Sequence, residues 1–294
     1  MRRRQSAGDL AWNLLNYGAL TLLGLAAAYP FVWVISASLS DPAEVLKGSV
    51  ILLPRGFDTT NYGIVLGFAA IWTGYLNTLY YVIVGTTINI MLTMLFAYPL
   101  SRIWFRARGA VNLFMIVTMF FGGGMIPTFL VVKALGLVDS RWAMIIPGAI
   151  SAWNVIMART YLSANIPDEM IEAAQIDGAD DLRTLWSVVM PLSGPILAVI
   201  GLYYAVAHWN DYFSALLYLR DDSQFPLQVI LRQVVQSPLE SLALGGGRTL
   251  EERSLYSRTV QYAVIVVSTV PILLVYPLLQ RYFVKGVMVG ALKG

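Results

Sequence analysis

The sequence predicts an all-α integral membrane protein, a single transmembrane domain over residues 1–294 with six membrane-spanning helices. Three observations predict it. The chain is 57% hydrophobic and 13% charged, against roughly 25% charged residues in an average soluble domain. Six stretches carry no Asp, Glu, Lys or Arg, at 10–40, 59–101, 109–132, 142–158, 184–210 and 259–280, and a membrane helix needs about 20 apolar residues within a range of about 17–25. None of them alternates apolar and polar residues as barrel strands do. A span in lipid must satisfy its own backbone hydrogen bonds, so each stretch is read as helical.

The helices are placed near 12–38, 74–100, 110–132, 142–163, 188–215 and 260–283, with a polar loop at 164–187. Before the first, Arg2, Arg3 and Arg4 precede an apolar run containing Ala26–Ala28, a pattern shared with secretory signals. The uncharged stretch is 31 residues long, well beyond the ~7–15 of a signal core, so it reads as a retained span. Residues 41–73 carry Pro42, Pro54, Gly56 and Asn61, the turn chemistry of a folded loop. In the third helix Gly122, Gly123, Gly124 and Pro127 interrupt the apolar pattern, which suits either a packing kink or a flexible gate.

The fourth and fifth helices carry Trp153 and Asn154, then Tyr203, Tyr204, Trp209 and Asn210. Aromatic faces beside amides suit a sugar, whose ring presents apolar C–H faces edged by hydroxyls; Trp and Tyr serve equally as interfacial anchors. These six residues are the candidate substrate path. His208, the single histidine, reads as a satisfied helix-end residue, and Asp211 beside it as a paired or water-facing carboxylate.

Orientation follows from the short connections. With the N-terminus cytoplasmic, the inner side holds Arg2–Arg4, Arg102, Arg106, Arg108, Arg159, Arg183, Arg281, Lys285 and Lys293, eleven of the 20 basic residues. Five of the remaining nine fall in one long outer connection, 217–258, where the rule loses force. Both termini are therefore placed inside. The arginines flank apolar runs rather than line one face, which argues against nucleic acid despite the net charge of +3.

The loop from Glu172 to Pro195, EAAQIDGADDLRTLWSVVMPLSGP, is acidic and soluble in character between two apolar runs. Pro167 and Asp168 signal a helix start, because proline suits a first turn and a carboxylate there satisfies the dipole. Gly178 signals its stop, since glycine takes the left-handed cap conformation cheaply. Asp180 can then cap a second short helix through Leu182, Leu185 and Trp186. Ala173 and Ala174 form a small knob that lets this helix approach another backbone closely.

These residues resemble the membrane permease subunits of ABC importers, whose cytoplasmic EAA loop docks on an ATPase subunit. Glu172, Ala173, Ala174, Gly178, Pro191 and Leu192 stand at the family's spacing without a gap, and Asp177 and Ala179 complete the DGA form common among sugar importers. Six spans and the tail QRYFVKGVMVGALKG extend the resemblance over nearly the whole chain, to the carbohydrate-uptake permeases of the maltose-importer group and especially those for alginate- and pectin-type fragments. The resemblance implies an ABC importer permease fold in a bacterial cytoplasmic membrane. It also implies a second homologous permease, two ATPase subunits that bind ATP and Mg, an extracytoplasmic solute-binding protein and an oligosaccharide substrate. Glu172, Ala173, Ala174, Asp177, Gly178, Ala179 and Pro191 would be the coupling residues.

Catalysis by the chain itself is not expected. It has no cysteine and one histidine, which excludes disulfides, thiolate metal sites and multi-histidine metal sites, and no Gly-Lys pair, hence no phosphate loop. No cofactor is expected in this chain. An ion-coupled sugar carrier is the alternative, but intramembrane ionisable groups mark such carriers and the six cores are nearly bare of them.

Overall fold

The computed structural model describes residues 7–236 and 254–274, residue 272 excepted. Among the described residues there is no strand, only an isolated bridge between Ser40 and Phe57. In order, the helices are α1 (Ala7–Ser38), α2 (Pro42–Leu46), α3 (Thr60–Gly67) and α4 (Ala69–Leu100). Then come α5 (Arg108–Phe120), α6 (Met125–Ala134), α7 (Ala152–Asn165), α8 (Asp168–Ile176) and α9 (Asp181–Leu192). The last are α10 (Gly194–Asn210), α11 (Phe213–Tyr218), α12 (Leu227–Gln236) and α13 (254–271).

The described residues divide into two compact units, one within 7–69, 231–236 and 254–270 and one built chiefly from 70–230. In the first, α1 is 32 residues long, about 48 Å at ~1.5 Å per residue and ample for a hydrocarbon core of ~30 Å. It exposes Leu14, Leu22 and Leu25, as expected of a helix solvated by lipid or by another protein. The segment after it is held against α1 and α13 by side-chain hydrogen bonds. Trp33 Nε1 donates to Val50 O (3.0 Å), Ser36 Oγ to Leu52 O (2.6 Å) and Tyr256 Oη to Asp58 (2.9 Å). Gly48 and Gly56 take positive φ at its turns. Glu44 accepts from Lys47 and Ser49, which holds its carboxyl below the ordinary range.

The second unit carries the functional elements. α4, α7, α9 and α10 share a core that includes Met94, Ala97, Val155, Leu162, Leu185 and Ile200. Small residues allow close approach: a Cβ on Gly74 would come within 3.0 Å of Leu227 Cα. Three helix boundaries differ from the sequence expectation. The helix placed at 110–132 is two helices, α5 and α6, bent by 117° across residues 121–124. Gly124 at φ +83° supplies a conformation that no side chain but glycine's adopts readily, and Pro127 sits harmlessly in the first turn of α6.

The helix placed at 142–163 starts only at Ala152; a 3-10 turn, Arg141–Met144, and an irregular stretch around Pro147 and Gly148 replace its first half. Proline cannot donate within a helix and glycine disfavours one. The helix placed at 188–215 is bent by 89° at Ser193, where Pro195 enters the first turn of α10, and ends at Asn210. Of the helix placed at 260–283, residues 275–283 lie outside the described residues, as do the tail Lys285–Gly294 and residues 237–253. Among the described residues, α1 and α4 are each long and apolar enough to cross a membrane, and the pairs α5/α6 and α9/α10 are so when each is taken as one bent span.

Candidate functional site

The acidic loop folds as two short helices at an elbow. Pro167 precedes α8, with Asp168 and Glu169 in its first turn, where carboxylates complement the helix dipole. Gly178 ends it at φ +80°, with Gly178 N bonded to Gln175 O and Ala179 N to Ala174 O, a paired closure of the last turn. The Asp180 carboxylate then accepts from Arg183 N (2.7 Å) and starts α9. α9 passes through a π-helical turn, Leu185–Val189, into Pro191 and the bend at Ser193, whose hydroxyl donates to Val189 O. Ile171, Leu185 and Val189 are buried. Glu172, Ala173, Asp177 and Gly178 are exposed, and Ala174 and Ala179 are half-buried.

The elbow hangs from Arg102, which follows α4. Its guanidinium is buried, and Nη1 donates to Ile166 O (2.9 Å) and to Asp168 Oδ1 (2.7 Å). Tyr98 lies beneath it, 5.6 Å from ring centre to guanidinium carbon. α7 returns the favour to α4. Arg159 Nε donates to Leu100 O (3.1 Å) and Ser163 Oγ to Ser101 O (3.1 Å), satisfying carbonyls that a helix end leaves open.

Deeper along the same helices lies a ladder of neutral polar groups. Asn89 Nδ2 donates to Gly148 O (3.0 Å) and Ala149 O (2.8 Å), and Asn89 Oδ1 meets His208 Nε2 at 2.7 Å. One turn along each helix, Thr93 Oγ1 and Tyr204 Oη are 2.8 Å apart, and Tyr204 Oη accepts from Ser151 N (3.0 Å). The ladder ties the irregular stretch before α7 to α4 and α10. His208 packs on the π-helical turn Tyr81–Gly85, and a Cβ on Gly85 would overlap its imidazole.

At the far end of α4, Asn77 Nδ2 holds Ser223 O (2.7 Å) and Phe225 O (3.0 Å), Tyr81 Oη holds Gln224 O (2.8 Å) and Thr78 Oγ1 accepts from Leu227 N (2.8 Å). Arg141 donates to Asn77 Oδ1 (3.0 Å) over the Tyr80 ring. Asp221 accepts from the Ser223 hydroxyl and backbone, which lowers its carboxyl pKa.

Residues 62–289 match the family model of the binding-protein-dependent transport system inner membrane component. The chain belongs to that family. A polygalacturonan/rhamnogalacturonan transport system permease protein of Bacillus subtilis is 41% identical over 287 residues, 96% of this chain and 98% of the relative. Protein LplC of the same organism is 38% identical over 94% of this chain and 91% of its own length. The solved structure of a bacterial ABC transporter involved in the import of the acidic polysaccharide alginate matches with a TM-score of 0.85 and 36% identity, covering 95% of this chain and 99% of that one. This permease therefore has the all-helical ABC permease fold, and it is a membrane transport component rather than an enzyme.

The permease separates the six residues of the expected substrate path. Asn154, Tyr204 and Trp209 are buried, whereas Trp153, Tyr203 and Asn210 are exposed. Tyr204 is occupied by the ladder, and Asn210 Nδ2 donates to Val206 O within α10. Gly122, Gly123, Gly124 and Pro127 gather at the 117° break between α5 and α6. Sequence reasoning missed two things. Met170, Ile176 and Leu182 are exposed apolar residues on the acidic elbow, Ile176 at 86%; their signal was the presence of large hydrophobics in a charged segment. Arg102 was read as a topology charge alone, and no local pattern distinguishes it from Arg106 or Arg108.

Proposed function

We propose that this permease forms half of the translocation path of a binding-protein-dependent ABC importer for an oligosaccharide, with α8 and α9 as the element that docks on an ATPase subunit. A second homologous permease supplies the other half. Two ATPase subunits bind ATP and Mg, and an extracytoplasmic solute-binding protein delivers the substrate. In this reading the chain crosses the membrane six times with both termini cytoplasmic, and at least one of the outer connections 41–73 and 217–258 meets the binding protein.

The observation that carries the reading is the surface of the elbow. Ile176 is 86% exposed in a segment that also leaves Met170, Ala173 and Leu182 uncovered. Exposed apolar area costs about 25 cal/mol per Å² relative to its burial, and a small acidic elbow rimmed by carboxylates fits a protein groove better than lipid or water. ATP-driven closure of the ATPase dimer would move α8, and α9 with Pro191 would carry the motion into α10. Glu172, Asp177 and Ala179 lie on the docked surface, with Gly178 setting its shape. Trp153, Tyr203 and Asn210 are the residues of the set available to the sugar. Relatives named for polygalacturonan and alginate transport support an acidic oligosaccharide.

Affinity purification in mild detergent from the native host tests this directly. Wild type is expected to bring down an ATPase and a second permease, and Glu172→Arg to lose chiefly the ATPase. Gly178→Asp should likewise abolish uptake of an oligogalacturonate while the chain stays in the membrane. Wild-type uptake by both variants would contradict the docking assignment.

A further inference from the structure

Arg102 is 1% exposed, yet among the described residues a single nitrogen of its guanidinium is hydrogen-bonded. Nη1 serves both Ile166 O and Asp168 Oδ1, while Nε and Nη2 are buried and have no partner among the described residues. An arginine carries five N–H donors in a fixed fork, and leaving such donors unpaired away from water is costly. A side chain that served only to hold the fold would be expected to saturate its fork.

Arg102 stands between a closed helix end and the exposed start of the elbow. Behind Arg102, the end of α4 is closed by Arg159 and Ser163 from α7, through Leu100 O and Ser101 O. Ahead of it, Asp168 is the first residue of α8, and its side chain is 51% exposed. The guanidinium thus joins α4 and α7, which are tied to each other, to the start of the elbow through one carboxylate at the protein surface. Its idle nitrogens lie on the same planar fork, where a carboxylate can shift from one N–H to a two-nitrogen grip without breaking the ion pair.

We propose that Arg102 is the transmission joint of this permease, a positioning residue that converts displacement of α8 into displacement of α4 and α7. The inference rests on the docking role proposed for α8. It adds a second route for the motion, through α4, besides the one through Pro191 and α10. Lysine cannot replace arginine here: one ammonium can reach Ile166 O and Asp168 together, as Nη1 does, but it offers no second nitrogen to which the carboxylate can shift.

The test is transport per ATP hydrolysed by the complete complex in proteoliposomes, with binding protein and an oligogalacturonate supplied. Arg102→Lys and Asp168→Asn should retain their ATPase subunits and hydrolyse ATP. Transport per ATP should fall about tenfold, inside the ~5–150-fold range of typical site-to-site couplings. Asp168→Glu, which keeps the carboxylate, should stay near wild type. Because Asp168 is half exposed, Asp168→Asn remains informative if Arg102→Lys fails to fold. Unchanged transport per ATP in Asp168→Asn, or loss of the ATPase from that variant, would overturn the joint. A wild-type complex that holds no ATPase would instead overturn the docking reading beneath it.

Discussion

The Asn89 ladder and the Arg102 joint both belong to α4 and its immediate end, both reach α7 or the chain leading into it, and both place polar groups among apolar side chains. They differ in how completely those groups are paired. Asn89 uses its carbonyl and its amide nitrogen on three partners, and Tyr204 Oη has two. Among the described residues Arg102 leaves two nitrogens idle and spends its third on the Ile166 carbonyl and a carboxylate half open to water. A saturated neutral network in a low-dielectric interior resists rearrangement, because every alternative leaves a donor or acceptor bare. An unsaturated charged contact has somewhere to go. The contrast assigns the ladder to permanence and the joint to motion.

That contrast can be broken by mutation, and the largest effect is expected in the ladder. Asn89→Leu strands Gly148 O, Ala149 O and His208 Nε2, and should destabilise the permease by about 2–4 kcal/mol, three hydrogen bonds at the modest values measured inside membranes. Reversible unfolding in detergent checks it. Uptake should fall only as far as folded protein is lost, and an Asn89→Leu variant that is stable yet uncoupled would erase the distinction. Gly85→Ala comes next. The added methyl overlaps the His208 ring, an overpacking cost of about 1–3 kcal/mol. Combined with His208→Ala, it should cost less than the two changes summed, as contacting residues do.

Tyr204→Phe removes one hydroxyl with two partners and should cost about 1 kcal/mol. Asp168→Asn is the smallest in stability, about 0–1 kcal/mol for an ion pair whose carboxylate is half exposed, and among these variants it should have the largest effect on coupling. A stability loss in Asp168→Asn equal to that in Asn89→Leu would show that the joint is a structural tie like the ladder.

The elbow was legible in the sequence because its signals are local. Pro167, Gly178 and Asp180 each act within a turn of their own position, and each takes the conformation its chemistry dictates. The satisfied reading of His208 held for a related reason, since a lone buried imidazole must find a partner. That partner was not legible: Asn89 is 119 positions away in the chain, and nothing near either residue marks the other. The break at residues 121–124 was announced by glycine and proline, whereas the bend at Ser193 was passed over despite Gly194 and Pro195, and the angles of 117° and 89° depend on packing. The late start of α7 was missed because the absence of charge over 142–158 outweighed Pro147 and Gly148 in the reading. Arg102 was legible as a charge and illegible as a joint, since the carbonyl and carboxylate it holds are 64 and 66 positions away.

The most direct measurement is a photo-cross-link from the elbow. The chain has no cysteine, so Ile176→Cys carries a single thiol, and benzophenone-maleimide attached there samples the surface within reach of α8. In membranes of the native host, the expected product is an adduct with an ATPase subunit whose yield changes when ATP is added. The same label at Leu53→Cys in the outer connection should give none. An Ile176 adduct with lipid or with the second permease, and no ATPase adduct under any nucleotide condition, would contradict the account.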